Sequence, residues 1–230
     1  MTVLTLGDLQ FEVRRSDRRR TLDLTVERDG SLILTAPTDV AAARLKRFAE
    51  QKRFWVYKKL AAKAALPPAL PVRKYVTGEG FSYLGRSHRL QIVEGQDAAV
   101  KLEAGRFKMR RDIVSQGRDA MIGWYTAHAQ PWLTTRVSQY VGRVRVKPVD
   151  VTIKDLGFRW GSCGKTGRLY FHWQVILLPP RIVDYIAVHE LAHLREPHHT
   201  PNFWHSVERV LPDWQQRRRW LTQNGNQFVI

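Results

Sequence analysis

Residues 179–193 read PPRIVDYIAVHELAH and form the most informative segment of the chain. Pro180 suits the first turn of a helix, where a missing backbone N–H costs no helical hydrogen bond. At 100° per residue, four side chains then fall on one helical stripe: Ile182, Ile186, His189 and His193. The stretch therefore predicts a helix with a buried apolar face, which the two histidines continue into the protein.

The end of this helix carries the pattern His-Glu-x-x-His. His189 and His193 are one turn apart, so their imidazoles can chelate a single ion, and Glu190 lies beside them on the same face. Zinc lowers the pKa of a water that it binds toward about 7. The spacing therefore predicts a zinc centre in which Glu190 acts as general base toward that water.

A sharp reversal of the chain is predicted directly after this helix. Pro197 disfavours helical geometry at Glu196 and so ends the helix. Thr200 and Pro201 are typical of the N-cap and the first position of a new helix. The two helices are therefore separated by only a few residues, which can return over the metal.

His199 lies on this reversal and is the predicted third ligand. It follows His193 by six residues, the offset of the third histidine in metzincins. Three imidazoles leave a fourth position for water, as a catalytic zinc requires. His198 and Glu208 are the alternatives to His199 as ligand.

The composition limits which kinds of site the chain can hold. Cys163 is the single cysteine of 230 residues, which excludes an internal disulfide and every zinc site built from several cysteines. No apolar run approaches the roughly 20 residues of a membrane span, and residues 1–13 lack the pattern of a secretory signal. We therefore expect a cytoplasmic protein without a membrane partner.

The chain is strongly basic, with 38 Lys and Arg against 21 Asp and Glu and a net charge of +17. The excess lies in residues 1–181, because residues 182–230 carry five basic and five acidic side chains. A field of this sign attracts phosphate polymers and acidic molecules. Nucleic acid or a nucleotide is therefore considered as a partner through the basic surface.

The remaining sequence predicts an α+β protein in one integrated unit, residues 1–230. Alternating apolar residues around Asp29 and Gly30 predict a β-hairpin. A long helix is predicted from Asp39, as its N-cap, to about Ala65. Together with the short alternating runs before residue 110, these elements form a β-rich N-terminal part over residues 1–110. We find neither an internal repeat nor a long polar linker.

Residues 111–230 are predicted to form the catalytic part. It begins with a helix from Asp112 to about Val141, interrupted at Pro131. Residues 149–153 are typical of a strand. Residues 168–178 alternate apolar and polar side chains, which predicts a second strand, packed on the His-Glu-x-x-His helix.

The chain is not a metzincin, because position 196 is Glu rather than Gly and the only methionines are Met1, Met109 and Met121. It instead resembles the YgjP-like metal-dependent hydrolases, relatives of the SprT and WLM zinc metallopeptidases. The resemblance is close over residues 159–212 and loose elsewhere. It is carried by RWGSC at 159–163, GRL at 167–169, PP at 179–180, YIAVHELAHL at 185–194, HT at 199–200 and FW at 203–204.

This resemblance implies a zincin-like fold, one zinc ion on His189, His193 and His199, Glu190 as catalytic base, and peptidase chemistry. In such a fold the strand predicted over residues 168–178 borders the cleft and can pair with an extended peptide. The chain departs from the family pattern at His172, where the family usually has Asn.

Four residues are candidates for contacting substrate or stabilising an oxyanion: Arg159, His172, Tyr185 and His198. Cys163 is expected to be a small buried thiol rather than a ligand. The leading hypothesis is a zinc-dependent peptidase acting on a peptide or protein. The alternatives are a nucleoside triphosphate pyrophosphatase or related phosphohydrolase, and a nucleic-acid-associated protein with a metal module.

Overall fold

The computed structural model describes residues 2–27, 30–64, 73–228 and 230. The chain divides into two compact units, Met1–Pro68 and Ala69–Ile230. Within the described residues the architecture is mixed α+β, with three sheets and five α-helices. The division differs from the predicted one at residue 110, because the strands of residues 80–110 share a core with the helix that follows them.

The first unit is a four-stranded sheet and a helix. Its elements are β1 (Thr2–Leu6), β2 (Leu9–Arg15), β3 (Asp23–Val26), β4 (Leu32–Ala36) and α1 (Ala42–Ala64). The strand order is β1-β2-β4-β3, with β2 parallel to β4 and the other pairs antiparallel. Apolar side chains that alternate along the strands pack with residues of α1, as in Phe11, Leu34, Leu45 and Val56.

The predicted hairpin is confirmed, since β3 pairs antiparallel with β4, although Asp29 lies outside the described residues. Asp39 is not the N-cap of α1, which begins three residues later, at Ala42. The guanidinium of Arg15 donates to the carbonyl oxygens of Pro37, Thr38 and Val40, and so holds this segment outside the helix. The predicted end at Ala65 lies outside the described residues.

The second unit opens with a sheet of the same topology. It contains β5 (Gly80–Tyr83), β6 (Arg86–Val93), β7 (Val100–Glu103) and β8 (Arg106–Arg110), in the order β5-β6-β8-β7. Here too the second strand is parallel to the fourth, and the other pairs are antiparallel. The first hairpin of each sheet turns at a glycine with positive φ, Gly7 and Gly85. The two sheets therefore repeat one strand topology, although the sequence shows no repeat.

The long helix α2 spans Gly117–Val144 and follows a 3-10 helix, Arg111–Gln116. The predicted interruption at Pro131 is wrong, because this proline lies inside α2. Buried side chains recur every three or four residues along the helix, at Met121, Tyr125, Ala129, Leu133 and Val137. This continuous packing maintains the helix on both sides of a residue that lacks an N–H.

A three-stranded sheet follows, with β9 (Asp150–Lys154), β10 (Gly161–Cys163) and β11 (Arg168–His172) in the order β10-β11-β9. The strand predicted over residues 168–178 is too long, because a 3-10 helix spans Trp173–Leu177. The Nδ1 atom of His172 accepts a hydrogen bond from the Gln174 N–H and caps this turn. All five residues of the 3-10 helix are buried, so their alternation does not distinguish two faces of a strand.

Three helices complete the second unit: α3 (Pro180–Ala192), α4 (Pro201–Val210) and α5 (Trp214–Asn224). Ten of the thirteen residues of α3 are buried, which makes it the central helix of the unit. The buried carboxylate of Asp184 accepts from the Arg136 guanidinium of α2, with its Oδ2 at 2.8 Å from Nη2, and faces Arg217 of α5 at 3.9 Å. No helix in the described part of the chain has the length and apolar character to cross a bilayer.

Substituting Asp184→Ala is expected to lower the free energy of unfolding by about 3 kcal/mol, because it leaves the Arg136 charge without its buried partner. Urea unfolding followed by circular dichroism measures this. Glu94→Ala is the control, since it breaks an ion pair with Arg111 in which both side chains are exposed. Its expected effect is below about 1 kcal/mol. Equal effects of the two substitutions would contradict a stabilising role for the buried pair.

Candidate metal centre

The last turn of α3 places two imidazoles side by side. His189 lies within the helix, and His193 is its C-cap, with its backbone N–H bonded to the His189 carbonyl oxygen at 3.3 Å. The two ring centroids are 4.9 Å apart. The Nδ1 atom of His193 lies 3.1 Å from the carbonyl oxygen of Glu196. Donation to this carbonyl leaves Nε2 of His193 free to bind an ion.

The chain then reverses as the sequence predicts, although α3 ends at Ala192 and the residues up to Glu196 form turns rather than helix. Thr200 is confirmed as the N-cap of α4, because its Oγ1 accepts from the Phe203 N–H at 3.3 Å, and Pro201 is the first helical residue. This cap fixes the direction in which α4 leaves the turn. The residue before the cap, His199, is thereby directed back toward α3.

The structure brings the three predicted ligands together. The Nε2 atoms of His189 and His199 are 3.0 Å apart, and the ring centroids of His193 and His199 are 4.8 Å apart. One potential ligand atom from each histidine lies within 4.8 Å of the others. Within the described residues no other histidine, cysteine or carboxylate joins this group. His199 also stacks on Trp204 at 5.4 Å, and Trp204 stacks on Trp214 at 4.3 Å.

This donor set fits a divalent transition metal. Burial, and then the neighbouring His193 and His199, lower the pKa of His189 to about 3. Burial also lowers the pKa of His199. Both shifts favour the neutral form of these two imidazoles, which is the form that binds metal. Zinc–nitrogen bonds of about 2.0–2.1 Å require only a small separation of the two closest nitrogens. Three protein ligands would leave the fourth coordination position of a zinc ion open for water.

Glu190 lies beside this group and is 6% exposed. Burial raises its pKa to about 8, against the charge of Arg159 and a hydrogen bond from the backbone N–H of Cys163, which both favour the carboxylate. The strand β10 makes room for it, because a Cβ on Gly161 would lie 2.8 Å from both Cγ and Oε1 of Glu190. The carboxyl group is therefore fixed between α3 and β10.

Gly161→Ala is expected to displace the Glu190 carboxyl group. For the predicted role of Glu190 as general base, this displacement should reduce kcat roughly 10- to 100-fold, since small misplacements of catalytic groups are costly. Metal content should not change, because the substitution leaves the three histidines in place. Steady-state kinetics and elemental analysis measure the two effects. The control is Gly123→Ala in α2, where an added Cβ meets nothing within 4 Å. If Gly161→Ala cleaved at the wild-type rate, Glu190 would not depend on this space.

The centre opens into a cavity of about 620 Å³. The three histidines and Glu190 form one wall, and β10 with its flanking residues forms the other. β10 is an edge strand of its sheet, and no strand pairs with its outer edge in the described part of the chain. The side chains of Arg159 and Lys165 also line the cavity. Lys165 and the space above Gly161 were missed in the sequence, although the glycines at 161, 164 and 167 mark this segment.

The four predicted substrate or oxyanion residues are placed differently. Arg159 lines the cavity, and the other three do not. His172 is buried in β11, with Nε2 3.1 Å from Oδ1 of Asp155. Tyr185 lies one turn before His189 on α3, and burial raises its pKa to about 12. His198 is exposed on the turn.

The remaining alternatives lie outside the histidine group. Glu208 lines a separate cavity beside α4. Cys163 lines the metal cavity but offers no atom to the group of three histidines. Burial, and then the charge of Glu190, raise the pKa of its thiol. These residues therefore do not replace His199 in this structure.

Comparison with known proteins gives one family and one structure. The family model described as YgjP-like, metallopeptidase domain, matches residues 20–224. Among solved structures, the chain is similar to the metallopeptidase zymogen of Pyrococcus abyssi abylysin, with 24% identity and a TM-score of 0.38. That likeness covers 42% of this chain and 99% of the other. A search of curated proteins finds no match.

Proposed function

The chain belongs to the YgjP-like metallopeptidase family, and we propose that it is a zinc-dependent peptidase with a zincin-like catalytic part, in which His189, His193 and His199 hold the ion and Glu190 is the general base. The observation that carries this proposal is the convergence of three imidazoles and one buried carboxyl group on a single open cavity.

His189, His193 and His199 would hold the zinc ion, which would supply a Lewis acid for the scissile carbonyl and for a water molecule. Glu190 takes a proton from the attacking water and returns it to the nitrogen of the leaving amine. Burial raises its pKa, whereas the charge of Arg159 and the Cys163 N–H favour the carboxylate form that accepts the proton. The Cys163 N–H holds the carboxylate toward the cavity during the transfer.

The unpaired edge of β10 is the element that positions an extended peptide in this proposal. The sequence assigned that role to the strand over residues 168–178, but β11 lies between β10 and β9 and has neither edge free. A substrate added along β10 would run past Glu190, which holds the Cys163 N–H, and would pair with the other backbone groups of that edge. Main-chain hydrogen bonds of this kind position a peptide independently of its side chains.

The test of this proposal combines elemental analysis with a survey of cleavage products. We expect one zinc ion per chain in purified protein. Incubating zinc-loaded protein with a tryptic digest of unrelated proteins should produce new peptide termini, which mass spectrometry detects. A heat-denatured sample is the control. Zinc-loaded protein that generates no new termini would overturn the assignment as a peptidase.

A further inference from the structure

Two cations lie on the cavity wall opposite α3, and the charge of one of them, Arg159, acts on the buried carboxyl group of Glu190. Arg159 and Lys165 both line the cavity and are exposed, and neither forms an ion pair with any described residue. Arg159 contacts Oγ of Ser162 at 3.3 Å. Among the described residues that line this cavity, Glu190 is the single acidic one, and it is buried. The accessible part of the cleft is therefore positively charged.

The register of β10 places these cations relative to Glu190. Hydrogen bonds from His172 N–H to the Trp160 carbonyl and from Gly164 N–H to the Arg168 carbonyl flank β10 on both sides, so the backbone groups of Ser162 between them also face β11. The backbone groups of Gly161 and Cys163 therefore point to the other edge of β10, where the Cys163 N–H is bonded to Glu190.

Glu190 contacts these same two residues, through the space above Gly161 and the N–H of Cys163. The bond to be cleaved must therefore lie opposite residues 161–163. Arg159 comes two residues before this segment, and Lys165 two residues after it. A peptide paired with the edge thus meets one cation on each side of the reacting bond.

We propose that this protein selects peptide substrates with acidic side chains on both sides of the scissile bond, which Arg159 and Lys165 bind. The inference rests on the proposed function, because it names the substrate class of the same site. Arg159 can bind a carboxylate through two parallel N–H donors, whereas Lys165 acts as a compact charge with rotatable donors. Each exposed contact is expected to change affinity by up to about fivefold.

The local backbone favours a peptide over a nucleotide. Loops that cradle nucleotide phosphates connect a strand to the N-terminus of a helix. Residues 164–167 instead form a tight turn between two antiparallel strands, with the Gly167 N–H bonded to the Gly164 carbonyl at 2.9 Å. Lys165 therefore lies on a hairpin and not at a helix N-terminus.

The test uses three peptides with one common central sequence, flanked by Glu, Gln or Lys. Wild-type protein is compared with Arg159→Glu/Lys165→Glu, with the neutral pair Arg159→Ala/Lys165→Ala, and with the control Arg86→Glu/Arg106→Glu. The control changes the net charge equally at two exposed residues outside the cavity. The substitution of Arg159 can also change the reactivity of Glu190, but it changes kcat/KM for all three peptides by the same factor. The ratio of kcat/KM between two peptides is therefore not affected.

We expect wild-type protein and the control to prefer the acidic over the basic peptide by about tenfold or more. The neutral pair should reduce this preference toward unity, and the Glu pair should reverse it. A preference that persists in the Glu pair, or that the control loses equally, would overturn the inference.

A binding measurement separates this inference from the proposed function. Fluorescence anisotropy of a labelled acidic peptide on Glu190→Gln protein should show binding that weakens in the Glu pair background and with added salt. If this binding occurs but wild-type protein cleaves no peptide, the inference stands and the peptidase proposal fails. If peptides are cleaved without charge preference, the peptidase proposal stands and the inference fails. Absence of binding, or tighter cation-dependent binding of a nucleoside triphosphate, overturns the inference.

Discussion

Glu190→Gln is expected to reduce kcat for peptide cleavage by about 10³-fold or more, with bound zinc unchanged. An amide cannot take a proton from the attacking water, and positioned general acid–base groups contribute about 10²- to 10⁴-fold. The loss should lie at the upper end, because one residue both takes and returns the proton. The side chains have the same size, so the contact with Gly161 remains. Single-turnover kinetics and elemental analysis measure the two quantities.

Glu208→Gln is the matched control for this substitution. Glu208 is the carboxylate that the sequence offers as an alternative ligand, but it lines a different cavity, beside α4. We expect a change in kcat of less than about twofold, as for other surface substitutions. Wild-type activity in Glu190→Gln, or loss of zinc in Glu208→Gln, would require a different base or ligand.

His199→Ala is expected to weaken zinc binding by more than about 10²-fold and to abolish cleavage at limiting zinc. Residues that merely orient zinc ligands already contribute 10- to 100-fold, and the loss of a ligand should exceed this. The two remaining imidazoles, His189 and His193, come from one helical turn and leave the ion on a single helix. Competition with a chromogenic chelator measures the affinity.

Thermal unfolding gives an independent readout of the same loss. An ion that binds only the folded chain raises its stability in proportion to the logarithm of its concentration over Kd. Zinc should therefore raise the Tm of wild-type protein and of the control His198→Ala, whose side chain is exposed, but not that of His199→Ala. Equal zinc affinity in His199→Ala and wild-type protein would place the third ligand elsewhere.

Patterns among residues close together in the sequence were sufficient to predict much of the fold around this site. The helical stripe in residues 180–193 and the Thr200-Pro201 cap predict α3, α4 and the return of His199 from spacing alone. These features depend on residues within one or two turns of each other. For the same reason the hairpin before α1 could be predicted.

The predictions that the structure contradicts concern features that depend on residues distant in the sequence. The extent of β11 and the continuity of α2 through Pro131 are decided by burial on all sides, which local alternation does not encode. Asp39 loses its predicted role because Arg15, distant in sequence, binds the intervening carbonyls. The contact of Gly161 with Glu190 joins two elements 29 positions apart, so the need for glycine there was not visible.

The unpaired edge of β10 also bears on how copies of this protein behave at high concentration. An exposed strand edge can pair with the same strand of another molecule and begin aggregation. Natural sheets protect such edges with charged side chains, especially lysine. Two antiparallel copies of β10 would bring Arg159 of one molecule near Lys165 of the other, and these like charges repel. The same pair of cations therefore protects the edge from self-association while leaving it accessible to chains of opposite charge.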